Sequence, residues 1–120
     1  MTYWGYHLLL DCSGCDLVKI TDADNIKLFV QELVTSIDMV AIGEPWIERT
    51  ATGDPSKEGF SMYQLIVTSN ISGHFIDHQR HIYLDVFSCK TFDVNIVKTC
   101  VVKYFSATKM RTNFITRNAD

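Results

Sequence analysis

Between Tyr3 and Asp11 the side chains alternate, with Leu8 and Leu10 on one face and His7, Leu9 and Asp11 on the other, which predicts a β-strand. Cys12 to Asp16, with Gly14 inside, reads as a turn. From Thr21 and Asp22 the period changes: Ile26, Phe29, Val30, Leu33, Val34 and Ile37 line one side of a helix. Met39 to Ile42 predicts a short strand ended by Gly43. Residues 44–59 hold both prolines and two of the six glycines, so they read as a long loop. Phe60 to Ser69 and Arg80 to Ser88 predict strands around a polar stretch that contains Gly73. Asp93 caps a second helix carrying Val94, Val97, Val101, Tyr104 and Phe105, and Lys109 to Arg117 predicts a last strand. The order β-α-β-β-β-α-β implies an α+β fold, a two-layer sandwich of an antiparallel sheet with two helices packed on one face.

A chain of 120 residues suits one domain, here residues 1–120. Eleven Lys+Arg against 14 Asp+Glu leave a net charge of −3, with no basic excess for nucleic acid or an anionic membrane. There is no apolar run of spanning length and no basic signal region at the start, so a cytoplasmic domain without membrane or nucleic-acid partners is expected. Reduced thiols are the default for Cys12, Cys15, Cys89 and Cys100. The pair Cys12-Ser-Gly-Cys15 has redox or zinc spacing, but it lacks a second pair, and packed thiols are the simpler reading.

Candidate chemistry concentrates between Ser61 and Cys89, where Ser69, Ser72, His74, Asp77, His78, His81 and Asp85 also fall. No G-x-S-x-G elbow accompanies the serines, and His78, His81 and Cys89 match no standard metal spacing. Taken one at a time, these residues also suit strand ends that satisfy backbone groups and face water.

Several segments together resemble the small bacterial and archaeal S-adenosylmethionine decarboxylases. They are Gly5-Tyr6-His7-Leu8-Leu9-Leu10-Asp11 followed by Gly14-Cys15-Asp16; Gly59-Phe60-Ser61; Thr68-Ser69 with His74 five residues on; and Leu84-Asp85-Val86-Phe87-Ser88-Cys89. The likeness spans roughly residues 3 to 107. It implies a proenzyme that cuts itself at Thr68-Ser69 into a β chain of residues 1–68 and an α chain of residues 69–120. Ser69 resembles the precursor of a pyruvoyl group that binds the substrate's amine as a Schiff base; Ser61 and His74 resemble the residues that assist processing. Cys89 resembles the proton donor to the product. The implied reaction converts S-adenosylmethionine to its decarboxylated form for polyamine synthesis, with a self-derived pyruvoyl cofactor and neither pyridoxal phosphate nor metal.

The chain departs from that family at two places. The junction reads Thr68-Ser69-Asn70 where the family has Glu-Ser-His, and Phe75-Ile76-Asp77-His78 stands where the family has Thr-Trp-Pro-Glu. Phe75, Asp77, His78, or Trp46 from the long loop, are candidates to replace the lost nucleoside contacts. A pyruvoyl decarboxylase of arginine or ornithine, or an unprocessed non-enzymatic relative, are the alternatives. Placed on one extended strand, Ser61 and Ser69 lie roughly 26 Å apart, whereas Ser69 and Cys89 pair across a hairpin centred on Gln79. A homodimer whose sites take Ser69 and Cys89 from one protomer and Ser61 and His74 from its partner resolves this.

Overall fold

The computed structural model describes residues 2–120. The strands are β1 (Gly5–Ser13), β2 (Trp46–Thr50), β3 (Gly59–Ile66), β4 (Ser69–Ile76), β5 (His81–Ser88) and β6 (Lys109–Arg117); the helices are α1 (Leu17–Ile20), α2 (Ala23–Ser36) and α3 (Val94–Phe105). The strands form one antiparallel sheet in the order β2-β3-β4-β5-β1-β6. The α+β class and the two long helices on one face agree with the sequence reading.

Each long helix starts where its cap predicts. The Asp22 carboxylate accepts from the backbone N–H groups of Asp24 and Asn25, and that of Asp93 accepts from Asn95 N–H. These bonds satisfy donors that a helix start otherwise leaves unpaired. The stripe of α2 is buried with Val97, Val101 and Phe105 of α3 against Leu8, Leu10, Ile71, Phe75, Ile82, Leu84 and Val86 of the sheet. Phe29, Phe105 and Phe75 form its aromatic centre, with ring centroids 4.8 Å and 5.2 Å apart. At the outer seam, the Glu32 carboxylate accepts from Lys103 Nζ at 2.7 Å and from Tyr104 Oη at 3.0 Å, joining α2 to α3.

Three expectations are corrected. Met39 to Ile42 is not a strand: it contributes one isolated bridge, Ala41 opposite Ile66, flanked by Ile42 N–H to the Leu65 carbonyl and Val67 N–H to the Val40 carbonyl, each 2.9 Å. Residues 44–59 are not all loop: Trp46–Thr50 forms the edge strand β2, paired with β3. Phe60 to Ser69 is not one strand either. The chain turns at Val67 and Thr68, and the polar stretch after it is the inner strand β4.

Gly59 makes the β3–β4 pairing possible. A Cβ there would lie 1.6 Å from the Phe75 carbonyl oxygen, a distance no side chain tolerates. At the end of β1, Gly14 has φ +64° and packs on Thr108, which closes the turn into α1.

Candidate functional site

The face of the sheet away from the helices is open and carries most of the polar residues. Pairing register sets its rows: Glu48, Ser61, His74 and Tyr83 are successive neighbours across β2, β3, β4 and β5, and Trp46, Tyr63, Ser72 and Asp85 form the adjacent row. Trp46, Tyr63, Leu65, Tyr83 and Ile115 are exposed on it.

Ser61 and His74 are brought into contact, with Ser61 Oγ 2.9 Å from His74 Nδ1. Thr50 of β2 extends the chain of polar groups, its Oγ1 lying 2.6 Å from Ser61 Oγ. Two residues along the same strand is Glu48, whose carboxylate accepts from Trp46 Nε1–H at 3.3 Å. Farther across the face, His7 Nε2 lies 3.0 Å from Asp85 Oδ1, and the His7 ring packs on Phe87.

The second cluster sits where β3 turns into β4. Ser69 opens β4 opposite Ser88, one residue short of the expected partner Cys89. Cys89 instead donates its backbone N–H to the Thr68 carbonyl oxygen at 2.9 Å. That N–H polarises the carbonyl and faces the oxygen on which negative charge would collect during nucleophilic attack. Ser69 has φ +150°, a value L-residues rarely adopt, so strain is stored at this residue. Beneath the turn, Ser88 Oγ–H donates to Thr68 Oγ1 at 2.8 Å, Thr68 Oγ1–H points to Met39 Sδ at 3.2 Å, and Lys90 N–H donates to Ser88 Oγ at 2.9 Å. The Thr68 side chain is thus held between Ser88 and Met39, while the Cys89 side chain is exposed.

The two clusters do not meet within the chain. His74 lies five residues along β4 from Ser69, a separation of roughly 17 Å at the strand rise. The roughly 26 Å expected from a single strand is therefore replaced by a shorter gap between neighbouring strands, still far beyond contact.

Of the candidate nucleoside contacts, Phe75 is corrected: it is fully buried among core aromatics and presents no surface to a ligand. Asp77 sits in the β4–β5 turn, where its Oδ2 accepts from Arg49 Nη2 at 2.7 Å, while Oδ1 is buried without a partner. His78, half exposed in the same turn, lies 3.7 Å from Glu58 Oε2. Trp46 is 68% exposed and available on the open face. An aromatic cavity of about 470 Å³ lies at the Cys89 end of β1, lined by Trp4, Phe87, Arg117 and Asn118 with the last two residues of the chain. Arg117 covers one face of Phe87, with its guanidinium 4.5 Å from the ring centre.

The paired thiols do not form a reactive centre. Burial pushes Cys12 up to about 12, helped by the neighbouring Cys15 and Asp11, and pushes Cys15 up to about 11. Such thiols hold their protons, the reverse of what thiol exchange needs. Among the described residues, no three His, Cys, Asp or Glu side chains are grouped to hold a metal ion. Among the described residues, no helix is long and apolar enough to cross a membrane.

Thr50, Glu48 and Ser88 were not singled out from the sequence. The first two carried little signal, since Trp46-Ile47-Glu48-Arg49-Thr50 shows no alternation of apolar and polar residues.

Comparison with known proteins gives a consistent picture. The family model described as S-adenosylmethionine decarboxylase matches residues 6–118. Proteins named S-adenosylmethionine decarboxylase proenzyme from Clostridium botulinum strains Hall, Langeland and Okra are 28% identical over 94 residues, covering 78% of this chain and 76% of theirs. The crystal structure of the adenosylmethionine decarboxylase from Aquifex aeolicus VF5 superposes with a TM-score of 0.81, covering 100% of this chain and 95% of that one. Its sequence is 18% identical, so it speaks to the shared fold.

Proposed function

The chain belongs to the S-adenosylmethionine decarboxylase family, and from that premise we propose that it is a pyruvoyl-dependent S-adenosylmethionine decarboxylase. It is made as a proenzyme, cleaves itself between Thr68 and Ser69, and acts as a homodimer in polyamine synthesis. The observation that carries this reading is the Thr68 carbonyl held by Cys89 N–H at 2.9 Å, next to a Ser69 strained at φ +150°.

The self-cleavage follows from those groups. Ser69 Oγ adds to the Thr68 carbonyl carbon as its proton passes to a base, and the Cys89 N–H bonds the oxyanion that develops. The C–N bond breaks as nitrogen takes a proton, leaving Thr68 esterified to Ser69 Oγ and releasing the strain of the turn. A base then removes the α-proton of residue 69, and the Thr68 carboxylate leaves from Cβ. Tautomerisation and addition of one water, with loss of ammonia, yield the pyruvoyl group. His74, hydrogen-bonded to Ser61, is the base. Because it lies roughly 17 Å from Ser69 in its own chain, it acts on the partner.

The ketone so formed supplies an electron sink for the pair released when the substrate carboxylate departs as CO₂. The exposed Cys89 thiol delivers a proton to the product carbon. The cavity between Trp4 and Phe87 has the size and aromatic lining for a nucleoside. From the partner, Trp46 offers a second aromatic surface, and Glu48 a carboxylate that accepts from both ribose hydroxyls.

Intact mass measurement of the purified protein tests the reading. Two fragments divided before residue 69 are expected, the larger-numbered one trapped by a hydrazine, while Ser69→Ala stays whole. A chain that remains unbroken after long incubation would favour a non-enzymatic relative. With cleavage in hand, CO₂ release from S-adenosylmethionine but not from arginine or ornithine is expected.

A further inference from the structure

We infer that Thr50, on the edge strand β2, is a positioning residue that fixes the tautomer of His74 through Ser61. The inference rests on the processing reading above, and its geometry is on the open face alone. Thr50 Oγ1 touches two oxygens, the Gly59 carbonyl at 3.4 Å and Ser61 Oγ at 2.6 Å, and Ser61 Oγ in turn touches His74 Nδ1 at 2.9 Å.

A carbonyl only accepts, and a threonine or serine hydroxyl has one proton to give. If Thr50 donates to Ser61, the Gly59 contact is not a hydrogen bond, and Ser61 donates to His74 Nδ1. The imidazole then carries its proton on Nε2. If Thr50 donates to Gly59, it accepts from Ser61, and Ser61 accepts from His74 Nδ1–H. Only the second direction turns all three contacts into hydrogen bonds. It leaves Nε2 as a lone pair.

That lone pair is what the elimination step needs, since a base must receive the α-proton of residue 69. Which imidazole nitrogen is protonated follows from the bond that the other one makes. The Gly59 carbonyl is a firm anchor because close approach to the Phe75 backbone holds Gly59 in place. When Nε2 takes the proton, Nδ1–H still donates to Ser61, so the chain of bonds holds the imidazolium without rearranging. Thr50 touches neither substrate nor the reacting bond and acts through Ser61.

The variant Thr50→Val keeps the shape of the side chain at an exposed edge and removes the hydroxyl, while Thr50→Ser restores it. Cleavage followed by intact mass should slow at least about tenfold in Thr50→Val and stay within about twofold of the parent in Thr50→Ser. Histidine ¹⁵N spectra of the uncleavable Ser69→Ala protein, at about pH 8.5, give a readout independent of activity. His74 should be protonated on Nδ1 there, and shift toward Nε2 protonation when Thr50→Val is added. Cleavage of Thr50→Val at the parent rate, or an unchanged His74 tautomer, would overturn the inference. A parent protein that never cleaves would instead sink the processing reading, while the spectra would still decide the role of Thr50.

Discussion

Two roles are proposed for Cys89, through two different parts of the same residue. Its backbone N–H holds the Thr68 carbonyl, and its thiol stands exposed beside the site. Replacing the side chain leaves the N–H in place, so the two roles separate. Cys89→Ala should therefore still yield both fragments, with a cleavage rate near that of the parent. Its turnover should fall by about a hundredfold or more, the usual loss when a positioned proton donor is removed. A Cys89→Ala protein that fails to cut itself yet folds would assign the thiol to processing instead. On the substrate side, Trp46 and Glu48 are proposed to hold the nucleoside and not the reacting carbon. Glu48→Gln is expected to raise KM by about tenfold with kcat little changed, the pattern of lost uniform binding.

Periodic burial made the long elements legible before any coordinates. The stripes of α2 and α3, their Asp22 and Asp93 caps, and the alternation in β1 and β5 all carry to the structure because one face of each is buried. β2 escaped since four of its five residues are exposed, and an edge strand without a buried face leaves little pattern. In β4 the alternation is present: Ile71, Gly73 and Phe75 face the helices while Asn70, Ser72 and His74 face outward. Its glycine and polar residues obscure that period in the sequence. Of the site, the pairing of Ser61 with His74 was implied by family likeness, whereas Thr50 and Glu48 depend on cross-strand register that the sequence does not display.

The same elements predict two stability effects. Gly59→Ala should force β3 and β4 apart, since the new Cβ would meet the Phe75 carbonyl, and cost upwards of about 3 kcal/mol in urea unfolding. The buried thiols set an alkaline limit. Cys12 ionises near 9.0 when unfolded and only at about 12 when folded, and Cys15 and Cys100 move from 9.0 to about 11, chiefly through burial. Between these values the unfolded chain has lost protons that the folded one keeps, so rising pH favours unfolding. Stability present in full below pH 9 should thus decline as pH climbs toward 11 and 12. Urea midpoints under reductant, compared between about pH 8.5 and 10.5, should fall less in Cys12→Ala than in the parent.

One protomer holds every proposed catalytic group yet cannot bring them together, because roughly 17 Å of β4 separates Ser69 from His74. The open face that carries the Ser61–His74 pair also exposes Trp46, Tyr63, Leu65, Tyr83 and Ile115, large apolar groups that a second copy would bury. In the proposed dimer, a two-fold axis would let each incomplete half complete the other. Two inactive variants distinguish this arrangement from an intrachain one. Ser69→Ala has no nucleophile but retains His74; His74→Ala retains the nucleophile but lacks the base. Alone, neither should cut at an appreciable rate. Refolded together in equal amounts, random pairing puts about half of the His74→Ala chains opposite an intact His74. Those chains should cleave, and mass measurement should find the break only in the His74→Ala chain. If mixing yields no cleavage although subunits exchange, the groups must act within one chain, and the distance along β4 would have to close by a movement of the sheet itself.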